Sequence, residues 1–159
     1  DFVYSRMRYE RADIIRDDWM LTSRFNGQVS SERLLFSETL GLGGFDTIRG
    51  TDSRAYNADH GWIANFEFGP KTYRCGTLQE PQTLRAYGFV DMGNGYVDQP
   101  QPGEDAYTFA LSTGVGLRYQ MSDRLIARFD YGFGIEDIDA AERSDRAHLG
   151  LTWIPGRRL

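Results

Sequence analysis

Arg49 lies between Ile48 and Gly50 in the stretch Ser37 to Asp52, SETLGLGGFDTIRGTD, which has four glycines and almost no periodicity. A long glycine-rich loop set between regular segments is usually either functional or disordered. Leu40, Leu42, Phe45 and Ile48 interleave these glycines and argue for order, because disordered segments lack apolar groups to bury. The stretch therefore reads as a loop that folds back and packs against the protein, with Arg49 at its tip. A guanidinium placed there is costly to bury without an acceptor, and its planar fork suits carboxylates. Glu67 and Asp91 both fall on the polar side of the alternating segments downstream and could reach one site. The expectation is an Arg49–Asp91 contact with Glu67 close by. Gly43, Gly44 and Gly50 would allow the close backbone approach and unusual dihedrals this needs. Plainer readings stand beside it: Arg49 as a solvated loop arginine, Asp91 as a strand-end turn residue, Glu67 as a generic charge.

Little else in the chain points to chemistry. There is no Ser-His-Asp set, no Gly-x-Ser-x-Gly and no phosphate loop, so no catalytic residue is assigned and no enzyme is expected. His60 and His148 lack the carboxylate or cysteine spacing of a metal site, and no metal or cofactor is expected. Cys75 is the single cysteine, which rules out an internal disulfide; it reads as an idle thiol in a polar segment. The acidic stretches 98–105 and 136–145 lack the regular spacing and central glycine of a calcium loop. A net charge of −5 with scattered basic residues gives no reason to expect a nucleic-acid partner.

The segments that must position Arg49, Glu67 and Asp91 alternate apolar and polar residues. Phe2 to Ile15 does so imperfectly, with Arg6, Arg8 and Glu10 opposite Val3, Met7 and Tyr9. From Trp19 to Val29, Trp19, Leu21, Phe25 and Val29 oppose Thr22, Arg24, Asn26 and Gln28. The glycine loop follows and extends through Asp59. Gly61 to Gly69 sets Trp62, Ala64, Phe66 and Phe68 against Ile63, Asn65 and Glu67; Lys71 to Gln82 reads as a polar connection. Leu84 to Met92 sets Leu84, Ala86, Gly88 and Val90 against Arg85, Tyr87, Phe89 and Asp91, and Asn94 to Asp105 is a loop. Tyr107 to Gln120, Arg124 to Ile135 and Arg146 to Ile154 alternate most strictly.

Alternation sustained over ten or more residues marks two-sided antiparallel strands, and seven candidates emerge. Globular strands run to about 5–6 residues, whereas a tilted membrane strand needs about 9–11. Trp62, Tyr107, Tyr119 and Trp153 sit near strand ends, as aromatic girdles do. Aromatic content of 14% and 18 glycines against five prolines also suit long strands. The chain is hydrophilic on average, yet membrane strands need only every second residue to be apolar. The expected fold is all-β: an antiparallel transmembrane β-barrel of the bacterial outer membrane, in contact with lipid, with a long inward-folded loop. A soluble β-sandwich with one buried face is the alternative. Seven strands cannot close a barrel of even number, and an open edge cannot lie in hydrocarbon. Either one more strand lies unread in the sequence or residues 1–159 are the C-terminal part of a larger barrel domain; the absence of an initiator Met and the ragged first segment favour the latter.

LGLGG followed by IRG resembles the infolded loop of the Omp85 superfamily, whose hallmark reads Val/Ile-Arg-Gly-Phe/Tyr. Phe89-Val90-Asp91 resembles that superfamily's Phe-x-Asp, and Gly61 to Glu67 its Gly-x-x…Glu strand. LLFSETLGLGGFDTIRG, with GVGLRY, FDYGFGI and HLGLTW downstream, is most similar to the TpsB branch, the haemolysin secretion/activation proteins of two-partner secretion. The resemblance spans roughly Trp19 to Trp153. It implies a barrel of about sixteen strands, of which these are the last six or seven. It also implies an Arg49–Asp91 pairing, with Glu67, Phe89 and Gly61 as further lumen partners. The implied function is export of an unfolded partner exoprotein through the barrel, with the remaining strands and periplasmic repeats belonging to the same chain. The sister branch implies an assembly factor that inserts other barrels, and a patatin-like enzyme anchored by such a barrel is a third possibility. Thr51 stands where the superfamily prefers Phe or Tyr, which would hold the loop tip less firmly. The chain ends Ile154-Pro-Gly-Arg-Arg-Leu rather than on an aromatic insertion signal.

Overall fold

A computed structural model of the chain describes residues 2–16, 18–77, 81–136, 138 and 145–155. β1 (Tyr4–Ile15) and β2 (Trp19–Ser30) form a hairpin paired from Tyr4↔Ser30 to Ile15↔Trp19. β2 pairs with β5 (His60–Pro70) only after a long excursion, which carries a 3₁₀ turn at Phe36–Glu38 and a small ribbon of β3 (Leu40–Leu42) with β4 (Tyr56–Ala58). β6 (Tyr73–Gly76) and β7 (Pro81–Tyr96) follow, then β8 (Tyr107–Met121), β9 (Leu125–Glu136) and β10 (Asp145–Trp153). The main sheet runs β1-β2-β5-β7-β8-β9-β10, entirely antiparallel, with β6 paired to the first residues of β7. It is open, and β1 and β10 are its two edges.

One face of this sheet is apolar and uncovered. Val3, Met7, Val29, Val115, Leu149, Leu151 and Trp153 are all exposed there, Leu149 by 80%. A soluble protein rarely leaves so large a contiguous apolar surface in water. Among the described residues no second sheet covers it, which removes the sandwich alternative; the only other sheet, β3–β4, lies on the opposite side. The chain is thus an all-β portion of a transmembrane barrel, and the face bearing the loop is its lumen side.

The buried core is small and sits between lumen wall and loop: Leu42, Ile48 and Ala58 from the loop meet Ile63 on β5 and Ala110 on β8. Three boundaries differ from the alternation pattern. The glycine loop contains β3 and β4, and the connection 71–82 contains β6, all too short for a period of two to register. β7 extends to Tyr96 rather than stopping near Met92: Asn94 interrupts its apolar row, and Gly93 and Gly95 stand on the lumen row where the loop presses on the wall. A Cβ on Gly93 would lie 3.3 Å from Ile48 Cδ1, and one on Gly95 2.6 Å from Ala58 Cβ. Most of the acidic stretch 136–145 and the last residues of the chain lie outside the described residues.

Candidate functional site

Backbone chemistry shapes the loop tip first. Gly43, Gly44 and Gly50 have φ of 101°, 101° and 92°, where a side chain is strained. The Gly44 N–H donates to the Ile48 carbonyl (3.1 Å) and the Thr47 N–H to the Gly44 carbonyl (3.3 Å), closing a tight turn. Thr51 is 1% exposed, and its hydroxyl donates to the same Ile48 carbonyl at 2.7 Å. At the position where a looser tip is expected, the Thr51 hydroxyl ties the turn from within.

Arg49 is 1% exposed. Its Nε and Nη2 donate to the two oxygens of Asp91, each at 2.7 Å, and its backbone N–H donates to Asp91 Oδ2 at 3.0 Å. One carboxylate therefore holds both the side chain and the main chain of the tip. Nη1 reaches Glu67 Oε1 at 3.0 Å and Asp130 Oδ1 at 3.3 Å. The guanidinium lies over the Phe89 ring, 3.7 Å from its centroid, an attraction of about 0.5–2 kcal/mol. Asn65 donates to Asp91 Oδ1 (2.8 Å) and to the Thr47 carbonyl (2.5 Å), tying wall to turn again. Burial pulls the Arg49 pKa down, but the hydrogen bonds and charge of Asp91, with Glu67 and Asp130, outweigh it and leave the group above its ordinary value. Arg49 stays charged.

Glu67, fully buried on β5, is a hub. Besides Arg49 it accepts from Arg24 (2.6 Å) on β2, Arg118 (2.8 Å) on β8 and Arg85 (3.4 Å) on β7. Asp130 on β9 accepts from the Tyr87 hydroxyl (2.6 Å) and Arg128 Nε (2.6 Å). Register explains the crowding. Arg85, Arg118 and Arg128 lie directly opposite one another across β7, β8 and β9, and like charges so placed repel. The buried acids reach from neighbouring rows to separate them.

A second anchorage holds the loop on β9 and β10. Arg128 Nη2 donates to the Phe45 carbonyl (2.8 Å) and Nη1 to Asp46 (3.0 Å), while its guanidinium covers the Phe45 ring at 3.8 Å. The same ring stands 5.8 Å from His148 and over Gly150, whose added Cβ would lie 3.0 Å from it. His148 Nε2 accepts from the Gly50 N–H at 3.3 Å, and Arg146 pairs with Asp52 at 2.7 Å.

Of the residues singled out from sequence, Gly43, Gly44, Ile48, Arg49, Gly50, Glu67, Phe89 and Asp91 come together here. Gly61 does not. It faces the lumen but backs onto the Asn94 carbonyl; six residues of β5 separate it from Glu67, roughly 20 Å at strand rise. Sequence reasoning missed Asp130, Arg128 and His148 as partners of the loop. Asp130 and His148 do fall on the polar side of their alternation patterns, but an 81-residue separation between Arg49 and Asp130 leaves no local signal. His60 lies apart, accepting from the Ser30 N–H at 3.2 Å, and Cys75 is half-buried on β6. Among the described residues no cluster of His, Cys, Asp or Glu could hold a metal ion. The arrangement can hold a loop against a wall.

The family model of the haemolysin secretion/activation protein ShlB/FhaC/HecB family matches residues 5–119. No match was found among curated proteins or among solved structures. The matched span carries the infolded loop, Arg49, Glu67, Phe89 and Asp91, whereas the β9–β10 anchorage lies beyond it. On that match, which covers most of the chain, the protein belongs to the haemolysin secretion/activation protein ShlB/FhaC/HecB family.

Proposed function

We propose that this chain is barrel wall and latch of a bacterial outer-membrane translocator that exports an unfolded partner exoprotein by two-partner secretion. Family membership supports the class of transport. The observation that carries the reading is the buried Arg49 tip, held by Asp91, Glu67 and Asp130 on three strands. Such a latch fixes a loop inside the lumen at a cost in desolvation, which a wall with no passage to control would not need. The open edges β1 and β10 would each leave unpaired backbone groups in hydrocarbon. We infer that further strands of the same barrel complete them, and that periplasmic repeats of the same chain receive the exoprotein. Transport of this kind needs no covalent chemistry and no cofactor.

The test is Arg49→Ala in the full-length transporter, expressed with its exoprotein partner. Insertion is read by heat-modifiable gel mobility of outer-membrane fractions and export by exoprotein in the culture supernatant. The expected outcome is an inserted barrel with export reduced tenfold or more. Unchanged export from a stably inserted variant would remove the role given to Arg49.

A further inference from the structure

Among the described residues, three arginines on the lumen wall carry more charge than their ion-pair partners neutralise. Arg49 is matched by the bidentate Asp91, and Arg128 by Asp130. In the described ion pairs Arg24, Arg85 and Arg118 share the single carboxylate of Glu67, with Glu10 on β1 standing opposite Arg24 in register. Arg85 is the sharpest case. Its side chain is 10% exposed, its contact to Glu67 is a long 3.4 Å, and its Nε has no hydrogen-bond acceptor among the described residues. A buried guanidinium donor left unpaired is unfavourable. Arg24 and Arg118 are 23% and 30% exposed on the same side. Tyr87 stands between Arg85 and Arg118, their guanidinium carbons 5.1 and 5.0 Å from its ring centroid, which spaces them as separate donors.

We propose that Arg24, Arg85 and Arg118 form a docking site for acidic side chains on an extended polypeptide, the exoprotein segment in transit. This rests on the translocator reading above. The cluster lies on the loop side of the sheet, away from the exposed apolar face, so the headgroups of lipids packed on that face do not meet it. The strands of these arginines run from β2 to β8, yet the three guanidinium groups converge on Glu67, with Arg24 and Arg118 Nη2 at 2.6 and 2.8 Å from the same Oε1, so one or two neighbouring carboxylates of an extended segment meet all three. Charge complementarity then selects an acidic segment over a neutral one. Glu67 acts as a positioning residue that keeps the three guanidinium groups together, while the surplus positive charge attracts the passing chain without a pocket to trap it.

The test uses the purified full-length transporter in planar bilayers, with hepta-glutamate and hepta-glutamine added from the periplasmic side. Hepta-glutamate should block the wild-type current at a concentration at least tenfold below hepta-glutamine. That preference should vanish in Arg24→Gln/Arg118→Gln and return in Arg24→Lys/Arg118→Lys. Arg8→Gln, on the same face of β1 but outside the cluster, should keep it. If the double glutamine variant does not fold, single Arg118→Gln gives the same reading with at least a threefold loss of preference. Equal block by the two peptides, or a preference unchanged in the glutamine variants, overturns the proposal, as does stronger block by inorganic phosphate than by hepta-glutamate. A wild-type protein that conducts no current would instead overturn the translocator reading itself.

Discussion

The main chain of Gly50 rests on the main chain of Gly132. A Cβ on Gly50 would fall 2.8 Å from the Gly132 carbonyl carbon, and one on Gly132 would fall 2.7 Å from the Gly50 nitrogen. Backbone cannot give way as a side-chain end can, so either methyl pushes the loop off the wall. Gly132→Ala, whose own backbone requires no positive φ, is the cleaner probe. Overpacking of this kind costs about 1–3 kcal/mol. The barrel should still insert, while trypsin cleavage at Arg54, added from outside intact cells, becomes faster than in wild type.

Asp91 and Glu67 should fail differently when neutralised. Asp91 serves the loop, taking three of Arg49's hydrogen bonds; Glu67 serves the wall, separating arginines from three other strands. Breaking one partner of a buried pair costs about 3–5 kcal/mol. Asp91→Asn should therefore free the loop, seen as broadened motion of a spin label at Asp46, with little change in the temperature at which the barrel unfolds on gels. Glu67→Gln should lower that temperature. The same unfolding temperature for both variants would contradict this division.

Phe45 and Arg128 should be coupled. Their stacking and the bond from Arg128 to the Phe45 carbonyl form an anchorage independent of Asp91. In a double-mutant cycle of Phe45→Ala and Arg128→Ala, the coupling energy should fall at about 0.5–2 kcal/mol. Loop protection from trypsin, converted to an opening free energy, measures it. Additive losses would show that the ring and the guanidinium act separately.

Tyr56 on β4 gives the loop a dependence on alkaline pH. Burial, then Glu104, Asp105 and Asp59, raises its pKa from 10.0 to about 12, and its hydroxyl donates to the Asp105 carbonyl at 2.6 Å. A raised phenol pKa means that the docked state holds the proton more tightly than the undocked one. The contribution is therefore complete below pH 10 and is lost as pH rises towards about 12. Loop protection should fall across that window in wild type and lose this step in Tyr56→Phe.

The sheet was legible because its two environments differ so sharply. Trp62, Phe66, Val115 and Leu149 could only suit lipid, and their neighbours carry the charges, so parity alone assigns nearly every strand residue to a side. The Arg49–Asp91–Glu67 geometry was legible for a related reason: a lone arginine among loop glycines has few acids at the right parity. What parity cannot supply is distance along a strand. Gly61 shares a face with Glu67 yet sits far up the wall, and Asp130 shares it too but reaches Arg49 because Gly132 and Gly116 leave room. Small residues carried the missing information. The Phe89 and Tyr87 rings lie over Gly114 and Gly116, 2.5 and 2.4 Å from where a Cβ would stand.

The Gly50–His148 bond joins residues 98 apart in sequence, and this sets the order of assembly. Entropy opposes closing so long a span before the intervening hairpins have shortened it. The tip's Asp91 clasp can form once β7 stands beside β5, but the Phe45 slot does not exist until β9 and β10 have joined. The β9–β10 hairpin thus completes the seat of a segment synthesised a hundred residues earlier, and a sheet that still lacks it holds the loop by the Asp91 clasp alone.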